Sequence, residues 1–380
     1  MANEGLPINP EIVTWARKRA GLSLDDARTK FRRIQEWEEG TSSPTYPQLE
    51  LLSDALKIPV AVFFFPDPPP VPRIEETFRT LPEADVEQLP KTIRMLLRKA
   101  KALQLNLIEM TSGQNPAKRI ITNDLSFAPE VSIADMARSV RDYLGVSIQE
   151  QVTWPDADTA LKKWRDVFTG VGVFVFKDAF KDEDFSGFCL YEDNFPIIYV
   201  NNSTAKTRQI FSLFHELAHL LFHTSGIDKF NDSYVDNLSG DAQRIEILCN
   251  KFAAVALLPE EALSAELNSQ RADRALAERI SAKYNVSRET IYRRFLDRNL
   301  IQQAEYLDAA RVWLAQRRRG EGDGGNSYWT KLSYLGREYI SLALREYHQN
   351  RIDETKLAEY LLAKPKHVAV LEEYYLRAGA

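Results

Sequence analysis

The sequence predicts a multidomain chain: an N-terminal all-α bundle, a central α+β region with a small sheet, and a C-terminal all-α region. Three observations carry this expectation. At 380 residues the chain is more than twice the length of an ordinary domain. The segment PDPPPVP (66–72) holds five prolines in seven residues, which removes amide donors and favours an extended spacer. Around residue 170 the apolar period changes from three-and-four to two, and by residue 208 it has changed back. The resulting boundaries are 1–65, a spacer at 66–72, 73–265, 266–319 and 327–380.

The elements follow in order. Asn9 as cap and Pro10 in the first turn begin a helix ending near Gly21. Ser23 with Asp26 three residues on starts a second, residues 37–40 close a third, and Leu49, Leu52 and Leu56 share one face of a fourth. Past the spacer, Ile93, Leu96, Leu97, Ala100, Leu103 and Leu107 mark one long amphipathic helix over 90–110, and a shorter one is expected over 132–144. VGVFVF (171–176), GFCLY (187–191) and PIIYV (196–200) have the composition of strands. Helices are expected over 208–223 and 243–258, and two more joined by a tight turn at Asn285, with Ser287 capping the second. RRR (317–319) reads as a solvated helix end, GEGDGGN (320–326) as a flexible linker, and 327–380 as helical.

Composition excludes several classes. A net charge of −5 rules out a strongly basic nucleic-acid coat, and 44% hydrophobic content is far above that of a disordered chain. Two cysteines, Cys189 and Cys249, exclude a disulfide framework and a four-cysteine zinc module, and fit a reducing compartment. With no signal-like start and no apolar run long enough for a bilayer, the expectation is a cytoplasmic protein without a membrane partner.

The sharpest signal is HELAH (215–219) inside the apolar run IFSLFHELAHLLFH. Residues four apart lie one turn apart on one helix face, so His215 and His219 can converge on a metal ion, with Glu216 beside them as a proton acceptor and donor. With 5 histidines and roughly 8% glutamate, chance placement yields the pattern about once in 200 such chains. A third ligand is required. Glu246, a lone acid on the apolar helix EILCNKFAAVALLP, is the first choice; Cys249 and His223 are the alternatives.

RQIFSLFHELAHLLFH followed by E-x-x-C-N-x-F-A-A-x-x-L-L-P (246–259) resembles the ImmA/IrrE family of bacterial and phage metallopeptidases, over about 170–259 and more loosely to 301. The resemblance implies a zincin-like central domain with His215, His219 and Glu246 as Zn2+ ligands, Glu216 as general acid/base, and gluzincin-like chemistry. No oxyanion-stabilising Tyr or His is identifiable from the residues.

WARKRAGLSLDDA, WEEG and PTYPQLELLSDALKIP resemble an XRE-type helix-turn-helix, although the interval 28–36 is about three or four residues shorter than that pattern needs. Arg28, Arg32 and Arg33, with Lys30, are the residues placed to meet phosphates. Residues 1–72 carry 8 basic against 10 acidic side chains, a net of −2, so a protein-docking module is weighed against DNA binding. The segment 274–295, with Arg288, Arg293 and Arg294, is a second helix-turn-helix match, weighed against a hairpin that covers the central domain. Trp313, Tyr328, Trp329, Tyr374 and Tyr375 read as core or oligomer contacts.

The expected function is a zinc-dependent regulatory endopeptidase acting on a protein such as a transcriptional repressor. The alternative is an antitoxin-like regulator that neutralises a toxin and represses its promoter, with a dormant or structural metal site. The expected partners are a protein substrate or toxin, DNA through the helix-turn-helix-like regions, and a second copy in a homo-oligomer.

Overall fold

A computed structural model describes residues 5–20, 22–56, 58–69, 89–182, 184–229, 240–268, 270–317 and 326–378. The spacer from residue 70, the linker from 320 to 325, and Arg318 and Arg319 lie outside the described residues. The chain divides into two compact units, the second beginning in the main at Lys99.

The first unit is built on α1 (Pro10–Arg19), α2 (Leu24–Lys30), α3 (Ile34–Glu38) and α4 (Tyr46–Leu56). Asn9 accepts from the Glu11 amide and Ser23 from the Asp26 amide, which satisfies a free N–H at the start of α1 and of α2. The apolar stripe Ile12, Val13 and Ala16 meets Trp37, Leu49, Leu52, Leu56 and Phe63 in a dry core. Arg17 grips Glu38 through two hydrogen bonds of 2.6 and 3.0 Å, tying α1 to α3.

Helices α5 (Lys91–Met110), α6 (Ile133–Leu144) and α7 (Ala157–Gly170) precede the sheet. Strands β1 (Phe174–Asp178), β2 (Phe185–Leu190) and β3 (Ile197–Asn201) are followed by α8 (Lys206–Leu221) and then β4 (Ile227–Lys229). The sheet order is β1-β3-β2-β4; β1 runs parallel to β3, and β2 is antiparallel to both neighbours. Both faces are covered, so the strands read as unbroken apolar runs. On one face Val175, Cys189, Ile198 and Val200 join the core around α7 and α8, where Trp154, Trp164, Phe214 and Phe168 meet edge to face at 4.8–5.3 Å. On the other, Phe188 stacks on Tyr199 and Phe176 meets Tyr339.

Helix α9 (Gly240–Leu257) packs on α8 and leads to α10 (Glu260–Leu267), α11 (Arg274–Tyr284), α12 (Arg288–Asp297) and α13 (Gln303–Arg317). The regions read from sequence as 73–265 and 266–319 share a single hydrophobic core, which includes Ile280, Ile291, Phe295 and Trp313. Asn285 takes the left-handed conformation expected of the turn (φ 56°) and donates to the Trp154 carbonyl. Ser287 stands at the start of α12 but makes no capping hydrogen bond through its side chain, which corrects the capping role expected for it. The tail forms α14 (Ser327–Leu335), α15 (Arg337–His348), α16 (Glu354–Tyr360) and α17 (Val368–Arg377). No helix among the described residues is long and apolar enough to cross a membrane.

Candidate metal centre

Every residue of α8 from Gln209 to Leu221 is buried, so the two histidines and Glu216 lie inside the protein with no bulk water to solvate them. Burial of that kind costs several kcal/mol per charged group unless partners are supplied. The partner comes from α9. Glu246 leads a face continued by Cys249, Asn250 and Ala253, at the spacing that lays one helix along another, and the small Ala253 allows close approach. The carboxylate straddles the imidazoles: Oε1 is 3.1 Å from His215 Nε2, Oε2 is 3.1 Å from His219 Nε2, and the two Nε2 atoms are 3.2 Å apart.

Three donors converging at this spacing fit a metal ion. Ligands about 2.0–2.1 Å from a tetrahedral centre stand about 3.3 Å from one another, close to the observed separations. His215, His219 and Glu246 are the described side chains whose ligand atoms gather in this way, within 4.8 Å of one another. Burial raises the Glu246 pKa, but His215 and His219 outweigh it and hold the carboxyl well below the usual carboxylate range. Glu246 is therefore ionised, as a ligand must be.

The imidazoles are oriented from behind. Asn250 Oδ1 lies 3.1 Å from His215 Nδ1 and accepts a hydrogen bond from its N–H, leaving the Nε2 lone pair for the centre. Thr224 Oγ1 stands 3.4 Å from His219 Nδ1. Asn250 was not singled out in the sequence; its position four residues after Glu246, on the same helix face, was the available signal. Gly226 packs flat against the His219 ring, and a Cβ there would fall 2.5 Å from Cδ2.

Glu216 faces β2. A Cβ on Gly187 would lie 3.6 Å from Glu216 Oε1, and the Cys189 thiol hydrogen-bonds to the Glu216 carboxylate. Burial, then the Glu216 charge, pushes the Cys189 thiol well up, so it stays protonated and donates. Of the alternative ligands, Cys249 is buried beside the centre without joining it, and His223 turns away, its Nε2 3.2 Å from the Thr122 carbonyl.

The other expected site residues lie in the first unit. Arg28 pairs with Asp25 at 3.6 Å and with Gln35, Arg33 pairs with Glu36 at 2.8 Å, and Arg32 is exposed. In the helical pair near the C-terminal side of the core, Arg294 is buried, donating to the Leu258 and Ala254 carbonyls and pairing with Glu260. It is therefore shielded from any external phosphate.

Fold and site together define an α+β domain whose buried His-x-x-x-His helix and second-helix glutamate could hold a metal ion. Residues 169–296 match the family model of the IrrE N-terminal-like domain, Peptidase_M78, a stretch running from the approach to β1 into α12. No curated protein matches the chain.

Proposed function

We propose that the protein is a zinc-dependent regulatory endopeptidase whose substrate is another protein, such as a transcriptional repressor. The observation that carries the reading is the closure of His215, His219 and Glu246 to 3.1–3.2 Å around one point, inside a region similar to the IrrE N-terminal-like domain. Two neutral imidazoles and a carboxylate are a donor set that suits zinc. When bound, the ion supplies a Lewis acid that polarises the scissile carbonyl and acidifies the attacking water. His215 and His219 are held by Asn250 and Thr224 with their Nε2 atoms inward. Glu216 receives the proton of the attacking water and delivers it to the leaving amine nitrogen. The apolar surround excludes other water from the reacting groups.

The test has two arms. Purified protein is expected to carry one equivalent of zinc, and His215→Ala to lose it. In a cell extract, new protein N-termini are expected with the wild-type chain and not with Glu216→Gln, which retains metal and fold. Identical termini from the two proteins would refute the peptidase reading.

The antitoxin-like reading is favoured by one feature of the tail. Trp329 is 43% exposed and meets Tyr374 edge to face at 5.1 Å, where Tyr374 also stacks on Tyr328. Large apolar side chains grouped at a surface suit a protein partner. Recovery of a stoichiometric small protein by wild type and Glu216→Gln alike, lost on Trp329→Ala, is the outcome that reading requires.

A further inference from the structure

Lys177 is the fourth residue of β1, an edge strand, and its side chain follows Val175 onto the face covered by α7 and α8. It is 4% exposed, its Nζ keeps a small opening to solvent, and among the described residues it makes no hydrogen bond and no ion pair. An ammonium on a buried stem, open to solvent only at its tip and without a protein acceptor, is poorly hydrated and favours an anion beside it.

Its surroundings strengthen that preference. The charged groups that act on it are Arg165, Lys162 and Asp158 of α7 and Lys206 of α8. Asp158, the one carboxylate among them, lies 2.8 Å from Lys162 and 3.7 Å from Lys206, so it is already shared. Arg165 gives Nη1 and Nη2 to the Ser333 and Val175 carbonyls at 2.8 Å, which satisfies donors without neutralising charge. Four cations therefore face one anion. The start of α8 adds to the field: Ala205 precedes it, and no side chain accepts from its first turn. Burial, followed by Arg165 and Lys206, brings the Lys177 pKa down to about 7.

We propose that the basic cluster where the carboxyl end of β1 meets the first turns of α7 and α8 binds a small oxyanion, phosphate or carboxylate, held by Lys177 with Lys206, Lys162 and Arg165. The place is one that α/β folds favour, at the carboxyl ends of the parallel strands β1 and β3 with a helix N-terminus aimed at it. An oxyanion there supplies the acceptor that Lys177 lacks and offsets the excess of positive charge.

The experiment is isothermal titration of the full-length protein with inorganic phosphate and, separately, acetate, at constant ionic strength and pH 7.5. One ion per chain is expected for at least one of the two, and comparison of the arms decides between phosphate and carboxylate. Lys177→Met should weaken binding by about tenfold or more, the loss of one charge-assisted hydrogen bond. Binding should also take up protons, seen as a heat that varies with the ionisation enthalpy of the buffer. Both proteins keep the His215–His219–Glu246 centre, so the difference between them isolates the Lys177 cluster. Lys206→Gln, at a partly exposed position, guards against misfolding of the buried variant and should also weaken binding. Failure of both ions to bind the wild type overturns the proposal. So does equal affinity in wild type, Lys177→Met and Lys206→Gln, which would mean an adventitious ion only.

Discussion

Asn250 Oδ1 sits 3.1 Å from Nδ1 of His215, one helical turn after Glu246, so a single face of α9 supplies both a donor to the centre and the group that aims another. Replacing Asn250 with Ala leaves the His215 ring free to change tautomer and to rotate. Metal affinity should fall by about 10–100-fold, the usual cost of losing such a supporting group. Competition for zinc against a chromophoric chelator measures this, and an unchanged affinity would deny Asn250 its orienting role.

Gly226 allows the chain to pass against the His219 imidazole. In Gly226→Ala the new methyl group would lie 2.5–2.8 Å from three ring atoms, so the ring or the strand must move. The expected result is substoichiometric metal and a midpoint lowered by about 2–4 °C for each kcal/mol of strain. Gly170→Ala, where a Cβ meets nothing within 4 Å, is the matched control and should retain full metal. Full occupancy in both variants would mean that His219 has slack.

The contrast between these residues shows what the sequence can carry. His215, Glu216 and His219 are legible because their spacing and their helix coincide in one short run. Glu246 is legible as an acid stranded on an apolar face. Asn250 is not, because an asparagine at that place gains meaning only once α8 is laid beside α9. The long helix α5 and the first three strands follow from period, whereas β4, three residues with an Asp and a Lys among them, has too little pattern to be read. Lys177 directly follows the apolar run 171–176, and nothing in the run marks it; it is α7 and α8, packed over that face, that bury its stem.

Arg294 separates two readings of the pair α11–α12. As a phosphate contact it would be dispensable to the fold, yet it reaches two carbonyls near the end of α9 and the carboxylate of Glu260. Arg294→Met leaves the Ala254 and Leu258 carbonyls short of a donor in the interior, while the half-exposed Glu260 keeps Arg298, and should cost about 1–3 kcal/mol. Urea denaturation reads the loss, and hydrogen exchange should place it in α9, α11 and α12. A variant as stable as wild type would return Arg294 to the surface.

Lys177 also makes a prediction about pH that does not depend on any ligand. Its folded pKa of about 7 lies below the value of about 10.4 expected in the unfolded chain. Between these values the unfolded state binds more protons than the folded one, so stability rises as pH climbs from about 7 toward 10. Below about 7 both states carry the charge, and the penalty for burying it is present in full. Asp158 lessens that penalty, while Arg165, Lys206 and Lys162 increase it. Lys177→Met removes the titrating group and the slope with it. In buffers free of phosphate and carboxylate, the variant should therefore exceed wild type in stability most at pH 6.5, less at pH 8 and least at pH 9.5 (all roughly placed within the window between the two pKa values and just below it). Urea unfolding of both proteins at the three pH values measures the gap, and a gap that does not narrow would show that the Lys177 ammonium is solvated or paired in the folded state.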